Sequence, residues 1–254
     1  MNIKQIIVLC MTLSSSIAAA DSTTSPMASV NVTIPTEKIV LTYKQPVRLE
    51  RVLADSLTHN QYNSALSYPL ANQLFNQDKE QQAVKMKEEV LGRLVEMMNQ
   101  QPTLKTSLHL LIEQIKRWDV GYREFINLDY DAVRLQQSKN PMLNGHYEFI
   151  VPERKQHLLI EGLLLRTQKV DLVSGKTVAQ YLSEALALSS ASSSYAWIIY
   201  PDGYSKKVGY AYWNDEKSTL APGSTIFIGF DSESTDLLSL EEKIVALIGM
   251  RKSL

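Results

Sequence analysis

Hydrophobic and polar positions along the chain repeat one arrangement twice. Each copy begins with an apolar strand, predicted over Ile39–Tyr43 and over 157–166, and continues into a short helix, predicted over 177–186 in the second copy. Each copy then reaches a leucine, a glycine turn and a strand of aromatic and β-branched residues, at 143–152 and at 220–230. The repetition predicts an α+β protein built from two small units in tandem.

The first copy carries about 50 more residues than the second, at about 60–116. Apolar residues recur there at steps of three and four, over 84–98 and over 104–115, which is the period of a helix. Asp78 is predicted to cap the first helix, because its carboxylate can accept a first-turn N–H. Each helix has an apolar stripe that must be buried, so the insert is predicted to pack against the second copy and hold the units together.

The end of the chain has the same helical period, from Ser232 to Met250. About 19 helical residues span roughly 28 Å, close to the thickness of a bilayer's hydrocarbon core. Charged residues at 241–243 exclude insertion of this helix alone. Either the helix lies on its own domain with its apolar face covered, or a ring of such helices lines water. The face consists of Leu237, Leu240, Ile244, Leu247 and Ile248.

Residues 1–20 are predicted to be an export signal, with Lys4, an apolar stretch and Ala18-Ala19-Ala20 before a cleavage site; a buried N-terminal helix is the alternative. The single cysteine, Cys10, lies in this segment, so the exported chain would have no disulfide, thiolate or cysteine metal site. The predicted units are then 21–154 with the insert, 155–231, and a terminal helix over 232–254.

Composition excludes one class of partner. The 254 residues are 44% hydrophobic and carry a net charge of −1, which fits a globular protein. The chain therefore lacks the basic field on which nucleic-acid binding depends.

The second copy resembles a known family in Tyr212-Trp213-Asn214 and in the stretch from Leu220 to Ile228. Together with the order of parts, from about Val30 to the tail, it is similar to the GfcC-like capsule-biosynthesis family of Gram-negative periplasms. The resemblance implies tandem β-grasp (ubiquitin-like) domains, similar to those of Wza-type polysaccharide exporters, with a helical insert in the first and a C-terminal amphipathic helix.

The same resemblance implies a function. We expect a non-enzymatic periplasmic protein of capsular or exopolysaccharide assembly or export, acting through contacts with outer-membrane or periplasmic export proteins. Polysaccharide itself is a second candidate ligand, and membrane contact is expected only through the terminal helix. That helix is the candidate switch, which requires two packings that differ by only a few kcal/mol.

The family has a buried, functionally important arginine just after the insert, and the resemblance assigns this role to Arg123, in Val120-Gly121-Tyr122-Arg123. The glycine is shifted relative to the family's motif, so Arg117 is the alternative. An arginine at the junction of insert and units could pair bidentately with a carboxylate and fix their arrangement. The alternative is a strand arginine that points to water.

The stretch 195–213 is rich in aromatic residues, and two strands joined by Pro201-Asp202-Gly203 predict a hairpin there. Aromatic side chains on its open face could stack on sugar rings, so a carbohydrate-binding module is the alternative function. The ordinary preference of strands for aromatic residues explains the enrichment equally well. The candidates are Trp197, Tyr200, Tyr204, Tyr210, Tyr212 and Trp213.

Signals of catalysis are weak. Asp129 and Asp131 are the candidate acid–base pair of a glycan-active enzyme, with a solvated turn as the alternative. Ser174-Gly175-Lys176-Thr177 lacks the first glycine of a phosphate loop, and Thr177 is instead predicted to cap the next helix. The four histidines are dispersed along the chain, so no metal or cofactor is predicted.

Overall fold

The computed structural model describes residues 29–59, 68–232 and 234–252. The predicted export signal lies outside these residues. The strands are β1 (Val30–Ile34), β2 (Ile39–Tyr43), β3 (Val47–Arg48), β4 (Gln73–Asn76), β5 (Met142–Leu143), β6 (Gly145–Ile150), β7 (His157–Gly162), β8 (Gln168–Asp171), β9 (Tyr195–Ile199), β10 (Ser205–Gly209) and β11 (Thr225–Ile228). The helices are α1 (Leu49–His59), α2 (Glu80–Gln100), α3 (Lys105–Lys116), α4 (Tyr130–Leu135), α5 (Val178–Leu182) and α6 (Thr235–Gly249).

Two mixed sheets share one strand arrangement. The first has the order β2-β1-β6-β4 and the second β10-β9-β11-β7-β8. In each, an antiparallel hairpin, β1–β2 or β7–β8, lies beside a late strand that runs parallel to the hairpin's first strand, β6 or β11. An antiparallel strand, β4 or β9, flanks the late strand on its other side. The structure is therefore α+β and contains two sheets of similar topology, with β10 added to the second sheet.

The predicted alignment of the two copies is wrong by one strand. Ile39–Tyr43 was predicted to correspond to the strand that begins at His157. In the structure β1 corresponds to β7, and β2 corresponds to β8. The first strand was missed because Asn31 and Thr33 alternate with its buried residues, and five residues of half-polar pattern resemble a solvated segment. The helix predicted over 177–186 also ends early, at Leu182.

The insert packs as its apolar stripes predicted. Val90 and Leu94 of α2 and Leu108 and Leu111 of α3 are fully buried, in one core with the second sheet. The insert is not only helical, however, because it includes β4, which pairs with β6 in the first sheet.

Asp78 does not cap α2, which begins at Glu80. The Asp78 carboxylate instead accepts the backbone N–H of His146 at 2.9 Å and lies 2.8 Å from the Nδ1 atom of that ring. These contacts hold the pKa of Asp78 below its usual value. The side chain predicted to start a helix therefore holds the beginning of β6.

Helix α6 has 15 residues, Thr235–Gly249, rather than the predicted 232–254. Its length is about 22 Å, and none of the helices among the described residues is long and apolar enough to cross a membrane. Its apolar residues pack into the core that contains the second sheet, α2 and α3. Glu241, predicted on the charged face, is 3% exposed and belongs to the buried side.

Candidate functional site at the junction of the two units

Arg123 lies where the first sheet meets the end of α6 and the turn between β9 and β10 of the second sheet. The segment that carries it runs beside β4: the N–H of Asn76 donates to the carbonyl of Tyr122, and the N–H of Glu124 donates to the carbonyl of Leu74, both at 2.8 Å. Arg123 itself forms an isolated antiparallel bridge with Phe75. The side chain is 3% exposed, so it does not point to water, whereas Arg117 is exposed.

The Arg123 guanidinium donates to three carbonyl oxygens from three parts of the fold. Nη1 donates to Gly249 at 3.0 Å, and Nη2 donates to Pro201 at 2.6 Å and to Asn72 at 3.2 Å. The predicted carboxylate partner is wrong: within the described ranges no carboxylate lies at ion-pair distance. Burial lowers the pKa of Arg123 to about 10, and the nearby Asp202 opposes that shift, so the group is charged at neutral pH.

A buried arginine–carboxylate pair does exist, but at Arg251, a residue that no sequence pattern indicated. Arg251, just after α6, lies 2.7 Å from Glu161 on β7. The Nη1 atom of Arg251 makes this contact with Oε2 of Glu161, whereas Nε of Arg251 has no hydrogen-bond partner. The guanidinium also lies over the ring of Trp118, 4.8 Å from its centre. Burial raises the pKa of Glu161 and lowers that of Arg251, while each charge opposes the shift of the other.

Backbone hydrogen bonds join the residues on both sides of Arg251 to the first unit. The N–H of Gly121 donates to the carbonyl of Met250 at 3.0 Å, and the N–H of Lys252 donates to the carbonyl of Asp119 at 2.9 Å. The Lys252 ammonium lies 2.8 Å from Glu148 of β6. Residues 249–252 therefore join the first sheet to α6.

Glu241 joins α6 to the second sheet in a similar way. Its carboxylate accepts the indole N–H of Trp197 at 2.5 Å and the backbone N–H of Phe230 at 2.9 Å. Lys207 contributes an ammonium 3.6 Å away. Gly229 leaves room for this carboxylate, since a Cβ there would lie 1.7 Å from Oε2. The sequence showed only a charged residue in an amphipathic helix, and no signal in it distinguished Glu241 from Glu242.

A groove of about 680 Å³ opens beside Arg123, between the two units. One wall is the segment Pro69–Asn72 with Phe125–Asp129, and the other is the hairpin turn Asp202–Tyr204. Phe125 is 52% exposed and Tyr204 is 62% exposed, so both rings offer apolar surface to the groove.

Comparison with known proteins gives two matches that together span most of the chain. Residues 27–154 match the family model described as capsule biosynthesis GfcC, N-terminal, and residues 166–252 match capsule biosynthesis GfcC C-terminal. This chain belongs to the GfcC capsule-biosynthesis family. The chain is also 35% identical over 164 residues to the uncharacterized protein YjbG of Escherichia coli (strain K12). The aligned region covers 63% of this chain and 67% of YjbG. The resemblance deduced from the sequence is confirmed.

The aromatic residues of this GfcC-family chain form the predicted hairpin, β9–β10, but no single surface. The Trp197 and Tyr210 rings pack against the core, and the Tyr210 hydroxyl donates to the carbonyl of Ser192. Tyr200 and Tyr204 stack on each other near the turn, with ring centres 5.8 Å apart. At the other end of β10, Tyr212 is fully exposed and Trp213 is 75% exposed.

Asp129 and Asp131 lie at the start of α4 rather than in a solvated turn. Asp129 caps the helix, because its Oδ1 accepts the N–H groups of Asp131 and Ala132 at 2.9 and 3.2 Å. The Asp131 carboxylate is 3.0 Å from Arg134. Both carboxylates therefore have local structural partners. Thr177 caps α5 as predicted, in a reciprocal capping box with Gln180.

The five candidate switch residues lie on α6 against the rest of the chain. Leu240, Ile244, Leu247 and Ile248 are buried in the core that includes the second sheet, and Leu237 packs at its edge. Lys243 also forms an ion pair with Glu89 on α2. In this arrangement the chain itself covers the apolar face.

Proposed function

We propose that this protein is a non-enzymatic periplasmic component of capsular polysaccharide assembly or export, acting through contacts with outer-membrane or periplasmic export proteins. Membership of the GfcC family supports the role in capsule assembly. The export signal predicted over residues 1–20 supports the periplasmic location. The partnered state of Asp129 and Asp131 favours this function over a glycan-active enzyme.

We also propose that each unit is a β-grasp domain. In both sheets a hairpin leads into a helix, and the hairpin's first strand lies parallel to the last strand of the unit at the centre of the sheet. This central parallel pair with antiparallel neighbours supports the assignment. The first unit would then have received α2 and α3 next to β4.

The observation that carries the protein-contact function is an ordered turn with two exposed aromatic rings. The side chain of Asn214 closes the turn, accepting the N–H of Ala211 at 2.9 Å and donating to the carbonyl of Ser194 at 3.2 Å. Tyr212 and Trp213 project from it. Tyrosine and tryptophan are enriched among residues that dominate binding energy at interfaces, and a turn ordered before binding loses little entropy in the complex.

In-cell crosslinking tests this proposal. A photoreactive phenylalanine analogue at position 212, in the capsule-producing cell, is expected to capture an outer-membrane or periplasmic export protein. Val40, exposed on an edge strand of the first sheet, is the matched control position and is expected to give no such adduct. Capsule display should fall in the Tyr212→Ala/Trp213→Ala variant. Absence of an adduct, with normal capsule display in that variant, would contradict the proposal.

The switch role of α6 stays a prediction. The free energy needed to release α6 from the core can be estimated. Release exposes Leu240, Ile244, Leu247 and Ile248, each of which loses about 1.5–3 kcal/mol of burial energy. The sum of roughly 6–12 kcal/mol approaches the whole stability of a domain, about 5–15 kcal/mol. A partner would have to cover the same residues to make release feasible.

An engineered disulfide between α2 and α6, next to the Lys243–Glu89 pair, tests the switch. The exported chain is predicted to have no thiol of its own, because Cys10 lies in the export signal, so the staple would be the only disulfide. A switch requires loss of capsule display in the oxidised protein and recovery after reduction. A fixed helix predicts normal display in both states.

A further inference from the structure

We propose that the groove beside Arg123 binds a short segment of polysaccharide by its uncharged, hydroxyl-rich face. The inference rests on the proposed role in capsule assembly, and names a ligand class for a groove between the units. The volume of about 680 Å³ falls in the range of about 300–1,000 Å³ that is usual for ligand sites, which often form between domains.

The apolar part of the groove is a pair of prepositioned rings. Tyr204 stacks on Tyr200 at an interplanar angle of 27°, and the Tyr200 hydroxyl donates to the carbonyl of Thr219 at 2.8 Å. Phe125 on the opposite wall packs so closely on Gly203 that a Cβ there would lie 2.3 Å from its ring. Rings held in this way offer rigid apolar surface for the C–H faces of a sugar.

The polar part consists of oriented hydrogen-bond acceptors. Asp202 Oδ1 accepts the N–H of Tyr204 at 3.0 Å, and Asp129 Oδ1 accepts two N–H groups of α4. In both carboxylates the second oxygen has no donor among the residues that the structure describes. An ionised carboxylate only accepts hydrogen bonds, so these two oxygens are complementary to hydroxyl groups.

The charged groups at the groove favour neutral over acidic sugar residues. Two carboxylates at the groove repel an acidic sugar residue, and the only cation lining the groove within the described chain, Arg123, has its guanidinium directed to three carbonyls. A neutral polyol satisfies the free carboxylate oxygens without bringing in a charge that must be compensated. The groove is therefore best matched by neutral sugar residues.

Calorimetric titration of the purified protein tests the inference. The probe is the set of short oligosaccharides obtained by partial hydrolysis of the capsule of the producing strain. Tyr204→Ala should weaken binding roughly three- to tenfold, the expected loss of one aromatic contact. Asp202→Asn, which keeps the acceptor for the N–H of Tyr204, should also weaken binding. Tyr195→Ala, at a half-exposed tyrosine where β9 begins and at the end of the β9–β10 hairpin away from the groove, is the matched control and should bind as the unaltered protein does.

Three results would overturn the inference: no binding of any fragment at millimolar concentration, binding lost in Tyr195→Ala but not in Tyr204→Ala, or a protein crosslinked from position 204 in cells. Circular dichroism confirms that each variant is folded, and Tyr204 and Asp202 are exposed enough for substitution. The test is separate from that of the proposed function. Failure to bind sugar leaves the crosslink from position 212 intact, and failure of that crosslink leaves sugar binding measurable.

Discussion

Replacement of Arg251 by methionine should destabilise the protein in a way that depends on pH. The substitution removes the guanidinium but keeps an unbranched apolar side chain beside Trp118. Glu161, 4% exposed, then remains buried without its opposite charge. Removing one partner of a buried ion pair typically costs about 3–5 kcal/mol, and we expect a loss in unfolding free energy of that size at neutral pH.

The sign of the pH dependence follows from Glu161. Burial raises its pKa above the ordinary value of 4.5, and Arg251 counteracts part of that rise. A carboxyl whose pKa is raised by folding adds stability below its unfolded pKa and loses it as pH rises through the folded pKa. Without Arg251 the folded pKa rises further, so the loss continues to higher pH. The difference between the two proteins should be small near pH 4.5 and should grow towards neutral pH.

Urea denaturation followed by tryptophan fluorescence, between about pH 4.5 and pH 8, measures this difference. Arg117→Met, at an exposed position, is the matched control and should stay within about 0.5 kcal/mol of the unaltered protein. Adding Glu161→Gln to Arg251→Met should recover part of the stability and remove the pH dependence, because no buried charge remains. A difference that is constant with pH would refute the reasoning.

Two further substitutions test single contacts. Gly229→Ala places a Cβ 1.7 Å from an oxygen of Glu241, which must leave its two N–H donors, so thermal denaturation should show a loss of about 2–4 kcal/mol. Gly92→Ala is the control, because Gly92 lies in a helix and no heavy atom is within 4 Å of the added Cβ; this variant should be more stable by about 0.5–1 kcal/mol. A similar loss of stability in the Gly229 and Gly92 variants would disprove the role given to the Glu241 contacts. Thr177→Ala removes a capping box and should lower the unfolding free energy by about 1 kcal/mol, measured by urea denaturation. An unchanged urea midpoint would show that the cap does not stabilise the protein.

The parts of the fold that could be predicted have long or repeated patterns. The apolar stripe of α2 recurs over about four turns, so its bounds, Glu80–Gln100, lie close to those deduced from periodicity. The glycine turn followed by an aromatic and β-branched strand occurs twice, and its two copies, β6 and β11, occupy the same place in their sheets. Redundancy along the chain makes such signals robust.

The parts that were missed depend on distant partners. All four residues of β4 are buried, although its ends are the polar Gln73 and Asn76. Their side-chain N–H groups donate to the carbonyl of Arg251 and to the Glu124 carboxylate. A buried polar residue is acceptable only when such a partner exists, and periodicity within four residues cannot show a partner 178 positions away.

The error at Arg123 has the same origin and shows how the junction is built. A buried arginine requires hydrogen-bond acceptors, but a carboxylate is not the only kind: Arg123 has three backbone carbonyls instead. The carbonyl of Gly249 lies at the C-terminal end of α6, where unpaired carbonyls carry partial negative charge. Two residues later Arg251 reaches the carboxylate of Glu161. The segment 249–251 thus accepts a hydrogen bond from Arg123 of the first unit and places Arg251 beside Glu161 of the second unit. A displacement of α6 would therefore disturb the contacts of both arginines.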